Sequence, residues 1–147
     1  MKIKQLSIFI ENQPGRLYKA LEILAQEDVN IRALSLADTS EFAILRLVVN
    51  SPEKGMEILE KNNFIVKLTD IIGVELDDTP GGLTKVLKIL NDENIDLEYL
   101  YAFTHDQTSK AILLMHANDL DEMINVLDSN NAKIVPADVV YNLKFKF

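Results

Sequence analysis

Two short segments concentrate the residue types able to hold a small polar ligand. They are Asn12-Gln13-Pro14-Gly15-Arg16-Leu17 and Asp78-Thr79-Pro80-Gly81-Gly82-Leu83. Each stands between an alternating apolar stretch and a helical pattern. Gln13 or Thr79 suits the N-cap of that helix, and proline suits its first position. Free N–H groups at a helix start attract a carboxylate. Gly15 and Gly81 have no Cβ, so a ligand can approach the backbone. Asn12 offers a carbonyl oxygen to an ammonium group and an NH₂ group besides. Asn30, opening a later strand, is a second polar contact. Together these groups suit a free amino acid. The plainer reading is that Pro-Gly before a helix is turn punctuation.

The two segments are not chemically equal. Asn12 and Asn30 have Asp78 and Asp96 as their counterparts. A carboxylate accepts from an ammonium but repels a ligand carboxylate. The first loop is therefore expected to be the better amino-acid site. The second would prefer a cation or serve as a structural partner.

The loops belong to a longer internal repeat, the main signal in the chain. Over the 21 positions from Pro14 to Leu34, nine residues recur 66 places later, Lys19/Lys85 and Ile23/Ile89 among them. Chance would give about one or two. A two-residue insertion then shifts the offset. Ala43-Ile44-Leu45 aligns with Ala111-Ile112-Leu113, and Asn62-Asn63 with Asn130-Asn131. This divides the chain into 1–69 and 70–147. No Gly/Ser/Pro linker marks the join near Asp70, so direct packing of the halves is expected.

Hydrophobic spacing supplies the elements that must position the loops. In the first half, Gln5 to Ile10 alternates as a strand. Leu17, Ala20, Leu21 and Leu24 share a helix face. Asn30 to Ala37 and Phe42 to Val49 read as strands. Ser51-Pro52-Glu53 starts a helix that Asn62-Asn63 ends. Phe64 to Thr69 is a last strand. The second half repeats the order, with strands over Ile71 to Leu76, Asp96 to Phe103 and Ala111 to Met115 and a last one within Ala132 to Tyr141. The class is α+β: two ferredoxin-like βαββαβ units, each a four-stranded antiparallel sheet with both helices on one face. Leu34, Leu36, Ile44, Tyr99, Tyr101 and Phe103 cannot all lie under the helices, because alternate residues point opposite ways. An apolar face is left for close pairing of the halves, a homodimer, or both.

This element order, with the Pro-Gly-x-Leu loop twice in register between strand and helix, resembles the ACT domain family. The resemblance covers almost the whole chain. It implies a regulatory module that binds an amino acid, commonly at the interface between two such domains. It also implies a ligand contact from the Asn at the place of Asn30.

Composition narrows the alternatives. The balance of 48% hydrophobic and 26% charged residues is that of a globular chain. Without cysteine there is no disulfide, thiolate chemistry or Cys-based metal site. No apolar run approaches the roughly 20 residues of a membrane span, and the N-terminus lacks a signal-peptide pattern. A cytoplasmic chain with no membrane partner is expected. A net charge of −8, with scattered lysines and arginines, disfavours nucleic acid. Tyr99, Tyr101 and Phe103 resemble base-stacking strands, but core or interface packing suits the charge better. His105 and His116 have no Glu or Cys at metal-ligand spacing, so no metal is expected. Asp119, Asp121 and Glu122 read as helix capping. Arg46 suits a cross-strand acid or, less well, a ligand.

No catalytic motif occurs, and no cofactor is implied. The leading reading is a non-catalytic regulator that binds a small amino acid and acts in trans on amino-acid metabolism, as on a metabolic enzyme. An adaptor or structural dimerisation module without a small ligand is the alternative, and a small enzyme is third.

Overall fold

The computed structural model describes residues 1–38, 41–104 and 109–143. They form two compact units. One comprises residues 4–69 with 141–143; the other comprises 1–3 with 70–140.

In the first unit, β1 (Ile3–Glu11), β2 (Ile31–Asp38) and β3 (Phe42–Val49) join the opening part of β4 (Ile65–Asp77) in the order β2-β3-β1-β4. Helices α1 (Arg16–Gln26) and α2 (Pro52–Lys61) pack on one face. Antiparallel register opposes Leu6 to Leu47, Ile8 to Leu45 and Ile10 to Ala43. These residues share the helix-facing side, as the period of two requires. They form a core with Ala20, Ile23, Leu24 and Leu59. The other face carries Ser7 opposite Arg46 and Phe9 opposite Ile44. Arg46 stands between Ser7 and Ser35 on its neighbouring strands.

The second unit repeats this order. The later part of β4 lies between β7 (Lys133–Val135) and β6 (Lys110–Ala117), and β5 (Leu97–Thr104) is the edge. Helices α3 (Gly82–Asp92) and α4 (Leu120–Ser129) cover the face of Ile72, Val74, Leu113 and Met115. Asp119 caps α4 by accepting from the Glu122 N–H at 2.9 Å, as its position indicates. On the opposite face Ile112 and Leu114 are buried, although the helices lie elsewhere. Gly73 leaves room there for Ile3: a Cβ on it would stand 3.3 Å from the Ile3 Cδ1.

All four long helices end alike. Asp28, Asn63, Asn94 and Asn131 take positive φ, between 55° and 65°. Val29, Phe64, Ile95 and Ala132 then donate back to the carbonyls of Leu24, Leu59, Leu90 and Leu127. This is the Schellman closure, in which Asn and Asp tolerate the left-handed region.

Two expectations need correction, and a third is made narrower. The strands expected over Phe64–Thr69 and Ile71–Leu76 run on as one strand, β4. The join is rich in Ile, Val and Thr and holds no Gly or Pro before Gly73, so nothing breaks it. The last strand is only three residues long. Pro136 ends it, having no N–H to donate, and a helical turn, α5 (Ala137–Tyr141), follows. Helices α1 and α3 start two residues later than expected. Their N-caps are Gly15 and Gly81, with φ of 87° and 86°, not Gln13 and Thr79.

Candidate functional site

The two glycines explain the loops. A left-handed N-cap is costly for any residue with a Cβ. Gly15 has no atom near its missing side chain, so backbone angle and not crowding demands glycine there. The turn is tied by Gln13 N–H to the Glu11 carbonyl at 2.8 Å, and by Lys19 N–H to the Gly15 carbonyl at 2.9 Å. Pro14 and Pro80 precede the caps in the turn and are not the first helical residues.

A cavity of about 420 Å³ opens beside the first loop. Asn12, Gln13, Gly15 and Leu17 line it together with Ile10, Glu11, Leu36, Asp38 and Ala43. Register explains this gathering. β1 ends at Glu11, opposite Phe42, while Asp38 pairs with Ala43 at the same end of the sheet. Asp38, opposite Ala43, thus brings a carboxylate to an otherwise amide-lined and apolar cavity, and Glu11, one residue beyond Ile10, borders it. Neither was among the expected site residues. Their positions depend on strand pairing, although Glu11 sits directly before the loop.

Other expected residues stand elsewhere. Pro14 is absent from the cavity lining. Arg16 turns its guanidinium onto the Phe64 ring, with Cζ 4.2 Å from the centroid. Its Nε is buried without a hydrogen-bond partner. Asn30 lies at the opposite end of β2. Its N–H donates to the Asn50 Oδ1 at 2.9 Å, and its carbonyl accepts from the Asn50 N–H.

In the second loop the Asp78 N–H donates to the Ser109 carbonyl, and Thr79 accepts from the Gly82 N–H. Gly81 is the exposed left-handed cap and Leu83 is exposed. Asp96 precedes β5, at the end of that strand far from the loop. Asp77, the counterpart of Glu11, pairs with Lys110. Hydrogen bonding to this ammonium, with its charge, lowers the Asp77 pKa below its ordinary value.

The structure also gives His116 an acid. Its Nε2 lies 3.2 Å from a Glu98 oxygen, its Nδ1 lies 2.9 Å from the Asp70 carbonyl, and its ring stacks on Tyr99. Among the described residues no three His, Asp or Glu converge to hold a metal ion. His105 lies outside the described residues. No helix among them is long and apolar enough to cross a membrane.

The ACT domain pair model matches residues 1–143. The chain belongs to the ACT domain pair family. A solved relative, protein BT0572 from Bacteroides thetaiotaomicron, is 38% identical, with 97% of this chain and 98% of that chain covered and a TM-score of 0.91. The regulatory subunit of aspartate kinase from Thermus thermophilus is similar in fold at 14% identity, with coverage of 86% and 89% and a TM-score of 0.59. The same fold occurs in E. coli aspartokinase III, solved in complex with lysine and aspartate. There the identity is 14%, the TM-score 0.55, and 88% of this chain matches 31% of that one. Among curated proteins no sequence matches the chain. As an ACT pair the chain is built from a regulatory type of domain.

Proposed function

We propose that this ACT pair is a non-catalytic regulator whose first loop binds a small free amino acid. One observation carries the reading: the cavity beside the Pro-Gly loop offers complementary groups for each part of such a ligand. The ammonium is held by Asp38, with Asn12 as a further acceptor. The carboxylate faces Gly15 and the N-terminal turn of α1. The aliphatic part rests on Ile10, Leu17, Leu36 and Ala43. A volume near 420 Å³ lies within the usual range for small-molecule sites. Asn30 and Arg16 are left out of this site, and so is Pro14 except as a shaper of the turn.

The functional modules follow the repeat, 1–69 and 70–147, although residues 1–3 group with the second compact unit and residues 141–143 with the first. Binding at one arrangement of paired modules shifts the population toward it by mass action. The output acts in trans, through a homodimer or a metabolic enzyme, in the cytoplasm. The co-crystallised lysine and aspartate of E. coli aspartokinase III support amino acids as the class to test first.

A thermal-shift screen with the twenty amino acids tests the reading. Ligand at about 100 times its dissociation constant stabilises by roughly 2.7 kcal/mol. No shift at millimolar ligand with any of the twenty would falsify it. The adaptor reading draws on Leu34 and Leu36, 53% and 47% exposed along the edge strand β2. It predicts an unchanged thermal midpoint with every amino acid and a dimer that persists without ligand.

A further inference from the structure

The second unit has a cavity of its own, of about 300 Å³, with no residue of the first loop in its lining. It lies between α3, the open end of the β4 edge and the turn before β7. Its apolar floor is Val74, Leu76, Val86, Ile89 and Ala132. The internal repeat shows where it comes from. Gly82 and Ala132 both line it, and they are the counterparts of Arg16 and Phe64. In the first unit those two side chains stack on each other and Phe64 is buried. In the second unit both side chains are missing. A Cβ at position 82 would collide with the Asp77 carbonyl oxygen, so the backbone itself prevents an arginine from returning there.

The rim is cationic. Lys110 pairs with Asp77 and Lys133 with Glu75, which leaves the Lys85 ammonium in excess over the two carboxylates. Asn130 and Asn131 add polar groups beside it. We propose that this cavity is a second ligand site, for a small carboxylate with a planar ring. The ring takes the place that Phe64 fills in the first unit, against Ala132, Val86 and Ile89. The carboxylate meets Lys85. The first unit supplies the argument for a ring: this scaffold already packs one at the equivalent position.

Titration of the full chain with benzoate, followed by backbone amide spectra, tests this. Saturable shifts are expected at Gly82, Lys85 and Ala132, with Gly15 and Leu36 unmoved. The last two report the amino-acid site, so the two proposals succeed or fail separately. Ala132→Phe should fill the cavity and weaken benzoate binding by about tenfold or more. Lys85→Gln should weaken it several-fold without disturbing packing, because the side chain is exposed. It keeps the proposal falsifiable should Ala132→Phe lose its dispersed spectrum. Benzylamine is the opposite-charge control. The proposal is overturned if benzoate moves none of these three amides at millimolar concentration, if benzylamine binds as well as benzoate, or if Lys85→Gln binds benzoate unchanged.

Discussion

The guanidinium carbon of Arg16 lies 4.2 Å from the ring centroid of Phe64, so the first helical residue after the Pro-Gly turn faces the helix-packed side of its unit. A desolvated cation–π contact is worth about 2 kcal/mol, against which stands the buried Nε without a partner. Arg16→Met is therefore expected to change stability by less than about 1 kcal/mol in urea unfolding and to leave amino-acid affinity unchanged. Phe64→Ala should cost about 3 kcal/mol or more, since its side chain is buried.

The Asp38 carboxylate gives a sharper test. Asp38→Asn keeps shape and removes one negative charge from the cavity. Titration calorimetry should show affinity for a zwitterionic ligand falling by about tenfold, as for the loss of one charge-assisted hydrogen bond. Asn12→Ala should weaken binding more than Asp78→Ala. The reverse order would place the ligand at the second loop.

Gly15 separates backbone demand from ligand approach. Its φ is 87° and no atom crowds the position of a Cβ. Gly15→Ala should cost about 1 kcal/mol in equilibrium unfolding through the angle alone. Gly15→Asn should recover part of that loss, because Asn tolerates the left-handed region.

Tyr141 joins the unit of residues 4–69 by two hydrogen bonds. Its hydroxyl accepts from the Lys4 N–H at 2.7 Å, and its carbonyl accepts from the Arg32 Nε at 2.8 Å. Of these two, Tyr141→Phe removes the first. A loss of about 1 kcal/mol is expected in denaturant unfolding. An unchanged midpoint would show that water replaces the hydroxyl at no cost.

Acid and base should act on opposite sides of the Asp77–Lys110 pair. The folded Asp77 carboxyl titrates below its ordinary value of 3.8. Its contribution is thus present above that value and lost as pH falls through the lowered one. Lys110 is raised above 10.5, mainly by its hydrogen bond to Asp77. That contribution is present below 10.5 and lost as pH rises through the raised value. Asp77→Asn should flatten both limbs of the stability profile, by a small amount because both groups are exposed.

Much of the fold could be read from apolar spacing, because each buried face has a period that the residues display. Leu6, Ile8 and Ile10 announced β1, and Asn62-Asn63 announced the end of α2. The site was legible only where it was local. Asn12, Gln13, Gly15 and Leu17 reach the cavity because they are consecutive with it. Asp38 reaches it through pairing with Ala43, and no local pattern encodes that register. Asn30 stands apart from the cavity because it precedes the other end of β2, and Arg16 does so for a more local reason. Direction around a helix start depends on the cap, and the cap moved two residues once Gly15 took the left-handed angle.

The four matching helix ends have a bearing on how such a duplicated chain can diversify. Each fixes the point at which the polypeptide leaves its helix and enters the next strand, using only one Asn or Asp and a backbone bond. Geometry is thereby insulated from the residues that line the two cavities. One copy could exchange Arg16 and Phe64 for Gly82 and Ala132, and Asn12 for Asp78, while the frame stayed put. A single gene thus carries one filled and one hollow version of the same shape, each open to separate selection.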